Sequence, residues 1–284
     1  MRSIRDVLSQ DGASLRAALA LMPDEARIEV QMLLQHVLKV PRAWLLAHPE
    51  QVLDEVQASA YAALLQRRLQ GEPIAYILGE REFFGLNFKV TPATLIPRPE
   101  TELLVELALQ RIPVRGRFRV LDLGAGSGAI ALSIAHARPE AEVVAVDASE
   151  AALQVARENA ARLGIHNAGF LQSDWFSALD GRRFDLIVSN PPYVAAGDVH
   201  LAQGDVRFEP SSALASGADG LDDIRRIIDQ AGDHLEKNAG LMLEHGYDQA
   251  PAVRALLQQN GFGEVYSAKD MAGIERVSCG VLRD

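Results

Sequence analysis

From Asp24 to Leu38 the apolar positions Ile28, Met32, Leu33 and Val37 fall at the three- and four-residue spacing of one helix face, between charged and amide side chains. "PEQVLDEVQASAYAALLQRRLQG", Pro49 to Gly71, repeats that pattern and ends on a glycine, a natural helix stop. Residues 1–75 therefore read as a small helical module. Beyond it the period shortens. "EREFFGLNFKVT" holds two short β-prone runs around Gly85 and Asn87 and predicts a connecting hairpin. In "PATLIPRPETELLVELAL", Pro97 and Pro99 prevent helix, and Thr101 is placed to cap the helix that starts just after it. Arg98, Glu100 and Glu102 suit active-site roles and capping or solvated roles about equally.

From Arg119 onward, apolar runs of strand length alternate with helical periods. The strands are "RVLDL", "EVVAVD", "GFLQSD" and "FDLIVS", then "GLMLEHG" after the helix "LDDIRRIIDQAGDHL", and finally the β-prone "EVYSAK" and "ERVSCGVL". Such alternation predicts an α/β domain, a mainly parallel sheet covered by helices on both faces. The expected division is a helical domain over 1–75, a hairpin linker over 76–97 and a catalytic domain over 98–284.

Composition narrows the function classes. Cys279 is the only cysteine, which excludes an internal disulfide and a thiolate cluster for zinc. The seven histidines are scattered, with no pair at metal-helix spacing, so no metal is expected. The net charge is −10; residues 1–75 carry 8 Lys+Arg against 9 Asp+Glu, so nearly all of it falls on the remainder. That acidity argues against direct binding to a nucleic-acid backbone, which depends on Lys and Arg neutralising phosphates. The opening "MRSIRDVLSQDG" lacks the apolar core of a signal peptide and no later stretch is long enough to cross a bilayer; a cytoplasmic protein without membrane contact is expected.

"VLDLGAGSGAIALSIA" sets Gly124, Gly126 and Gly128, with Ala125 and Ser127 between them, at a strand-to-helix turn where the backbone must bend sharply and approach a ligand. Gly124, Gly126 and Ala129 also satisfy the relaxed dinucleotide fingerprint, so an NAD enzyme shares this loop. Asp147 ends the next strand and can accept both ribose hydroxyls of either cofactor. Asp122 decides: two residues before Gly124, it would repel a pyrophosphate and attract the ammonium of a methionine moiety. This favours S-adenosylmethionine. Asp174 and Trp175, in "QSDW" after the third strand, offer an acceptor for the adenine amine and a surface for its ring. In open parallel sheets the ligand crevice lies outside these carboxyl strand ends.

The fourth strand ends in "NPPY". Pro191 and Pro192 fix φ and remove two backbone donors, leaving rigidly directed carbonyls beside Asn190, which borders the cofactor as well. The Asn190 side-chain oxygen and the Pro191 carbonyl can receive both hydrogens of a planar NH2, with Tyr193 against its flat face. Such acceptors stabilise the charge that develops on a weakly nucleophilic amide or aryl amine as it takes a methyl.

"NPPY" in this position resembles the amino-methyltransferases of DNA adenine, ribosomal RNA guanine and protein glutamine. The blocks "YILGEREFFGLNFKVTPATLIPRPETELLVE", "DLGAGSGAIALSIA", "SNPPYV", "GDVRFEPSSAL" and "LEHGYDQ", within residues 76–249, resemble the release-factor glutamine methyltransferases, the HemK/PrmC family. The resemblance implies a Rossmann-like class I S-adenosylmethionine-dependent methyltransferase domain with a small N-terminal helical domain joined by a β-hairpin. It implies methylation of the side-chain amide of the glutamine in the Gly-Gly-Gln motif of class I peptide chain release factors. On the family pattern Gly124–Gly128 form the cofactor loop, Asp147 holds the ribose, Trp175 lines the adenine side and Asn190, Pro191, Pro192 and Tyr193 hold the glutamine. A ribosomal-protein glutamine and a nucleic-acid amine are the alternative substrates. Glu209, in the "FEP" part of a matching block, receives no firm role from the sequence; closing a loop over the substrate is one hypothesis for it.

Overall fold

A computed structural model describes residues 2–283. The chain divides into two compact units, one holding the residues up to Gly79 together with Ala202–Phe208, the other Glu80–Leu201 and the residues from Glu209 onward.

The first unit is helical: α1 (Ile4–Leu19), α2 (Pro23–Leu38), α3 (Arg42–Ala47), α4 (Glu55–Leu69) and α5 (Ile74–Leu78). A capping box starts α1, with the Ser3 hydroxyl accepting from the Asp6 amide and the Asp6 carboxylate from the Ser3 amide. The stretch from Pro49 is not helical throughout. Asp54 caps α4 and Gln57, in its first turn, completes a capping box, so the helix begins only at Glu55. The buried face of α2 also differs from the expected one: Ala26, Val30, Leu33 and Leu34 point inward, and Ile28 is 46% exposed. Because α2 packs against α1, α3, α4 and α5, its inner face is set by several neighbours rather than by one apolar stripe. Arg68, buried near the end of α4, donates to Glu29 at 2.7 and 3.0 Å and to Asp205 at 2.8 Å, which fastens the 202–208 segment to this unit.

The second unit opens with the expected hairpin, β1 (Glu80–Phe83) paired antiparallel with β2 (Leu86–Lys89). Its turn falls on Phe84 and Gly85, both at positive φ, the mirror-image turn that matches strand twist. Helix α6 (Glu102–Arg111) follows. Then come β3 (Arg119–Leu123), α7 (Ala129–Ala137), β4 (Glu142–Asp147), α8 (Glu150–Leu163), β5 (Ala168–Gln172) and β6 (Phe184–Ser189). A long connection leads to α9 (Asp222–His234), β7 (Leu235–Glu244), α10 (Ala250–Gln259), β8 (Phe262–Lys269) and β9 (Glu275–Leu282).

Among the described residues these strands form a seven-stranded sheet in the order β5-β4-β3-β6-β7-β9-β8. It is parallel from β5 to β7, and β9 runs antiparallel to both its neighbours. The fold is Rossmann-like, as expected. Helices cover both faces, so alternate residues of one strand enter different cores: Val120 packs on one side, Leu121 and Leu123 on the other. From β3 the chain moves outward to β4 and β5, then returns to place β6 on the opposite side. This reversal opens a crevice at the carboxyl ends of β3 and β6. No helix among the described residues is long and apolar enough to cross a membrane.

Candidate active site

The loop after β3 is built on positive φ: Gly124 at +75°, Gly126 at +56° and Gly128 at +82°. At Gly124 the left-handed backbone lets its amide donate to the Val146 carbonyl at 2.9 Å, and the Trp175 ring rests where a side chain would project. Gly128 serves packing: a Cβ there would meet Ala156 and Leu132 at 3.1 Å, so glycine lets α7 start close against α8.

Asp147 stands across from this loop at the end of β4. Its carboxylate accepts from the Gly126 amide at 2.9 Å and the Ser149 amide at 2.8 Å, one bond to each oxygen. A carboxylate has about four lone-pair sites, so acceptor capacity for a vicinal diol remains. Burial pushes the Asp147 pKa up and the two amide bonds pull it back.

Asp122 does not do what its position in the sequence predicts. It is fully buried, on the same face of β3 as Val120, with one carboxylate oxygen accepting from the Ala131 amide of α7 at 3.0 Å. Burial pushes its pKa up to about 7. Its side chain supports the start of a helix, and attraction of a ligand ammonium does not follow from this placement. The choice of cofactor must rest on other grounds.

The turn after β5 is held by Ser173, whose hydroxyl donates to the Trp175 carbonyl at 2.7 Å and accepts from the Ala178 amide at 3.0 Å. The Trp175 indole donates to Asp223 at 3.2 Å. Both Asp174 oxygens face Arg226, at 2.9 and 2.7 Å. After β6, the Ser189 hydroxyl donates to the Leu123 carbonyl at 2.7 Å and ties the ends of β6 and β3 together. Asn190 then turns its amide nitrogen to Thr101 Oγ1 at 3.1 Å, and the Tyr193 hydroxyl reaches Glu244 at 3.3 Å. Thr101 makes no side-chain cap to α6, contrary to the sequence expectation: it closes the turn Pro99–Thr101 with helical backbone angles, φ −68° and ψ −18°, where a capping residue is extended, and its hydroxyl faces Asn190 instead.

A cavity of about 430 Å³ collects these strand ends. Gly124, Gly126, Asp147, Asp174, Trp175, Asn190 and Pro192 line it, whereas Ala125, Ser127, Gly128, Pro191 and Tyr193 lie outside its lining. Residues 92–95, Asp223 and Arg226 also line it and were not singled out in the sequence; the first carry only the mark of a proline-rich connector, and the other two sit on an ordinary amphipathic helix. Glu209 is buried nearby, accepting from the Ile96 amide at 3.1 Å and paired with Arg98, so both members of that charged pair are accounted for structurally. The helical unit has a hollow of 450 Å³ lined in part by Arg5, Arg16 and Arg27, but it contains none of the motif residues. Cys279 is buried, and burial pushes its thiol up to about 11, which suits a packing residue.

Residues 100–213 match the Methyltransferase small domain family and residues 13–79 the PrmC N-terminal domain family. The chain is 53% identical over 261 residues to the release factor glutamine methyltransferase of Bordetella pertussis, covering 92% of this chain and 96% of that one. Against its counterpart in Salmonella typhimurium, identity is 51% over 257 residues, 90% of this chain and 92% of that one.

The chain belongs to the release factor glutamine methyltransferase family.

Membership makes it an S-adenosylmethionine-dependent methyltransferase, so the cofactor follows from the family and not from Asp122. Among solved structures, a 16S rRNA N2 G1207 methyltransferase of T. thermophilus in complex with AdoMet and guanosine superposes with a TM-score of 0.53 at 26% identity, covering 72% of this chain and 50% of that one. The donor set of the cavity fits such a methyl donor: a carboxylate acceptor at the end of β4, an indole after β5 and a left-handed glycine loop between them. Its volume lies in the range of small-molecule sites, about 300–1,000 Å³.

Proposed function

We propose that this protein methylates the side-chain amide nitrogen of the glutamine in the Gly-Gly-Gln motif of class I peptide chain release factors. The supporting observation is that Asn190 and Pro192 line the same cavity as Gly124, Gly126, Asp147 and Trp175, so the acceptor side and the cofactor side meet in one space. The substrate comes from family membership.

In this reading Asp147 receives the ribose hydroxyls, Trp175 and Asp174 border the adenine, and the Gly124–Gly128 loop gives the backbone room to approach. S-adenosylmethionine would supply an electrophilic methyl group, its sulfonium carbon–sulfur bond breaking as the carbon–nitrogen bond forms and leaving S-adenosylhomocysteine as a neutral thioether. Asn190 Oδ1 and the Pro191 carbonyl accept the two hydrogens of the glutamine NH2 and hold its nitrogen in line, with Tyr193 packing beside it. These fixed acceptors stabilise the positive charge that the nitrogen gains in the transition state more than they stabilise the neutral amide. Once alkylated, the nitrogen releases its proton to water, and no covalent enzyme intermediate is needed. The helical unit docks the release factor, the partner is protein rather than nucleic acid, and the reaction belongs to the cytoplasm.

The test is transfer of labelled methyl from S-adenosylmethionine to an unmethylated class I release factor, beside a variant whose motif glutamine is replaced by alanine. Label on the native factor alone is expected. Equal labelling of both would overturn the assignment of the acceptor.

A further inference from the structure

Two side chains of α9 line the cavity with no role so far, Asp223 and Arg226. Three residues apart, they lie on one face of the helix. They reach two consecutive residues of the turn after β5. Asp223 Oδ1 accepts from the Trp175 indole Nε1 at 3.2 Å, and Arg226 spans both oxygens of Asp174 at 2.9 and 2.7 Å. The two contacts are unequal. Arg226 and Asp174 are 43% and 58% exposed, where solvent leaves an ion pair little net effect. The bond to Asp223 is half-buried and ties a cavity-lining ring to a fixed acceptor.

Trp175 stands in a conformation that calls for such a hold. Its φ is +50°, a left-handed backbone that a bulky residue rarely adopts. The Ser173 hydroxyl secures the main chain by donating to the Trp175 carbonyl at 2.7 Å. The ring rests on the glycine loop, 3.5 Å from where a Cβ of Gly124 would stand. Nε1 is the one polar atom of an indole, so a hydrogen bond there is what sets the direction of the ring. Asp223 can set it because its own amide donates to the buried Ser216 hydroxyl at 2.8 Å, which fixes the first turn of α9.

We propose that Asp223 is a positioning residue for the cofactor: through the indole N–H it holds the Trp175 ring against the glycine loop in the orientation that receives the adenine. The inference rests on the reading of Trp175 as the adenine-side surface. A half-buried indole commonly finds some acceptor, and solvent would satisfy an N–H at this depth equally well. What the carboxylate adds is direction, supplied from a second element that lines the same cavity. Ordering the ring in advance lowers the cost of binding, so the effect falls on cofactor affinity and not on the transfer step.

The experiment measures the Kd of S-adenosylmethionine by calorimetry, and kcat at saturating cofactor on an unmethylated class I release factor. The variants are Asp223→Ala, Asp223→Asn, Trp175→Phe, Trp175→Ala and the double variant Asp223→Ala with Trp175→Phe. Asp223→Ala is expected to raise the Kd about three- to tenfold, the range that the net contribution of one hydrogen bond gives, with kcat nearly native. Asp223→Asn keeps an oxygen acceptor and binds close to the native level. In the Trp175→Phe background the N–H is already gone, so adding Asp223→Ala should change the Kd little further. A structural role alone would cost the same in both backgrounds. Native Kd in Asp223→Ala, an Asp223→Asn as weak as Asp223→Ala, or equal losses in the two backgrounds overturns the proposal. If Asp223→Ala does not fold, Asp223→Ser, too short to reach the indole, takes its place in the same cycle. Should Trp175→Ala bind the cofactor at the native Kd, the underlying reading of Trp175 fails; a weakened Trp175→Ala beside native Asp223→Ala removes only the positioning role.

Discussion

Asp147 accepts the backbone N–H of Gly126 at 2.9 Å, so the carboxylate that closes β4 is tied directly to the loop that closes β3. Acceptor and cradle are therefore one rigid piece. Replacing Asp147 with alanine removes both the diol acceptor and that tie. Hydrogen bonds to a charged group are worth about 1.5–3 kcal/mol, so the cofactor Kd should rise by roughly 10- to 100-fold. Calorimetric titration with S-adenosylmethionine measures this, and an unchanged Kd contradicts the role given to Asp147.

Asn190→Ala should act on turnover instead. Losing one fixed polar group aimed at developing charge costs on the order of 10²–10³ in kcat. The glycine loop, Asp147 and Trp175 remain intact, so the cofactor Kd is expected to move little. Weakened cofactor binding with undiminished transfer would reverse the assignment.

Asp122 predicts a pH effect on stability. Its pKa of about 7 in the folded chain lies well above that of a solvated aspartate, so between the two values the folded state keeps a proton that the unfolded state has lost. Stability from this group is present at low pH and is lost as pH rises through about 7. Glu244 contributes in the same direction, its pKa also being about 7. Asp122→Asn cannot titrate, and its oxygen can still accept from Ala131. The difference in Tm between pH 5 and pH 8 should therefore shrink in this variant relative to the native chain. A difference as large as the native one would show that Asp122 is not the group responsible.

Arg68→Ala should unfold the helical unit far more readily than its position near a helix end implies. The Glu29 side chain is only 13% exposed and would lose its bidentate partner. Breaking a buried pair from one side costs about 3–5 kcal/mol. Asp205, 38% exposed, is a weaker partner, and Asp205→Asn should cost about 1 kcal/mol or less. Urea unfolding of the two variants checks the ranking.

The sequence displayed those parts of the site that depend on local backbone chemistry. Glycines at 124, 126 and 128 adopt positive φ, and the consecutive prolines end β6, because no other residue types meet those demands cheaply. Asp147 was legible as an acid at a strand end. Glu244 carries the same mark at the end of β7, and reading it in that way would have drawn attention to it. Asp122 was misread for a different reason. A sheet covered on both faces buries successive residues alike, so apolar alternation does not reveal that Asp122 lies under α7 rather than at the crevice. Thr101 looked like a helix cap, since a partner 89 residues away leaves no local trace. The inclusion of 202–208 in the helical unit likewise depends on long-range pairing through Arg68, which no periodicity displays.

The most direct measurement is peptide mass spectrometry of an unmethylated class I release factor after incubation with this protein and S-adenosylmethionine. One added methyl group, located by fragmentation on the glutamine of the Gly-Gly-Gln motif and absent when Asn190→Ala replaces the native enzyme, is the expected result. A native enzyme that binds the cofactor yet leaves that glutamine unmodified, or places the methyl on another residue, would contradict the proposed function.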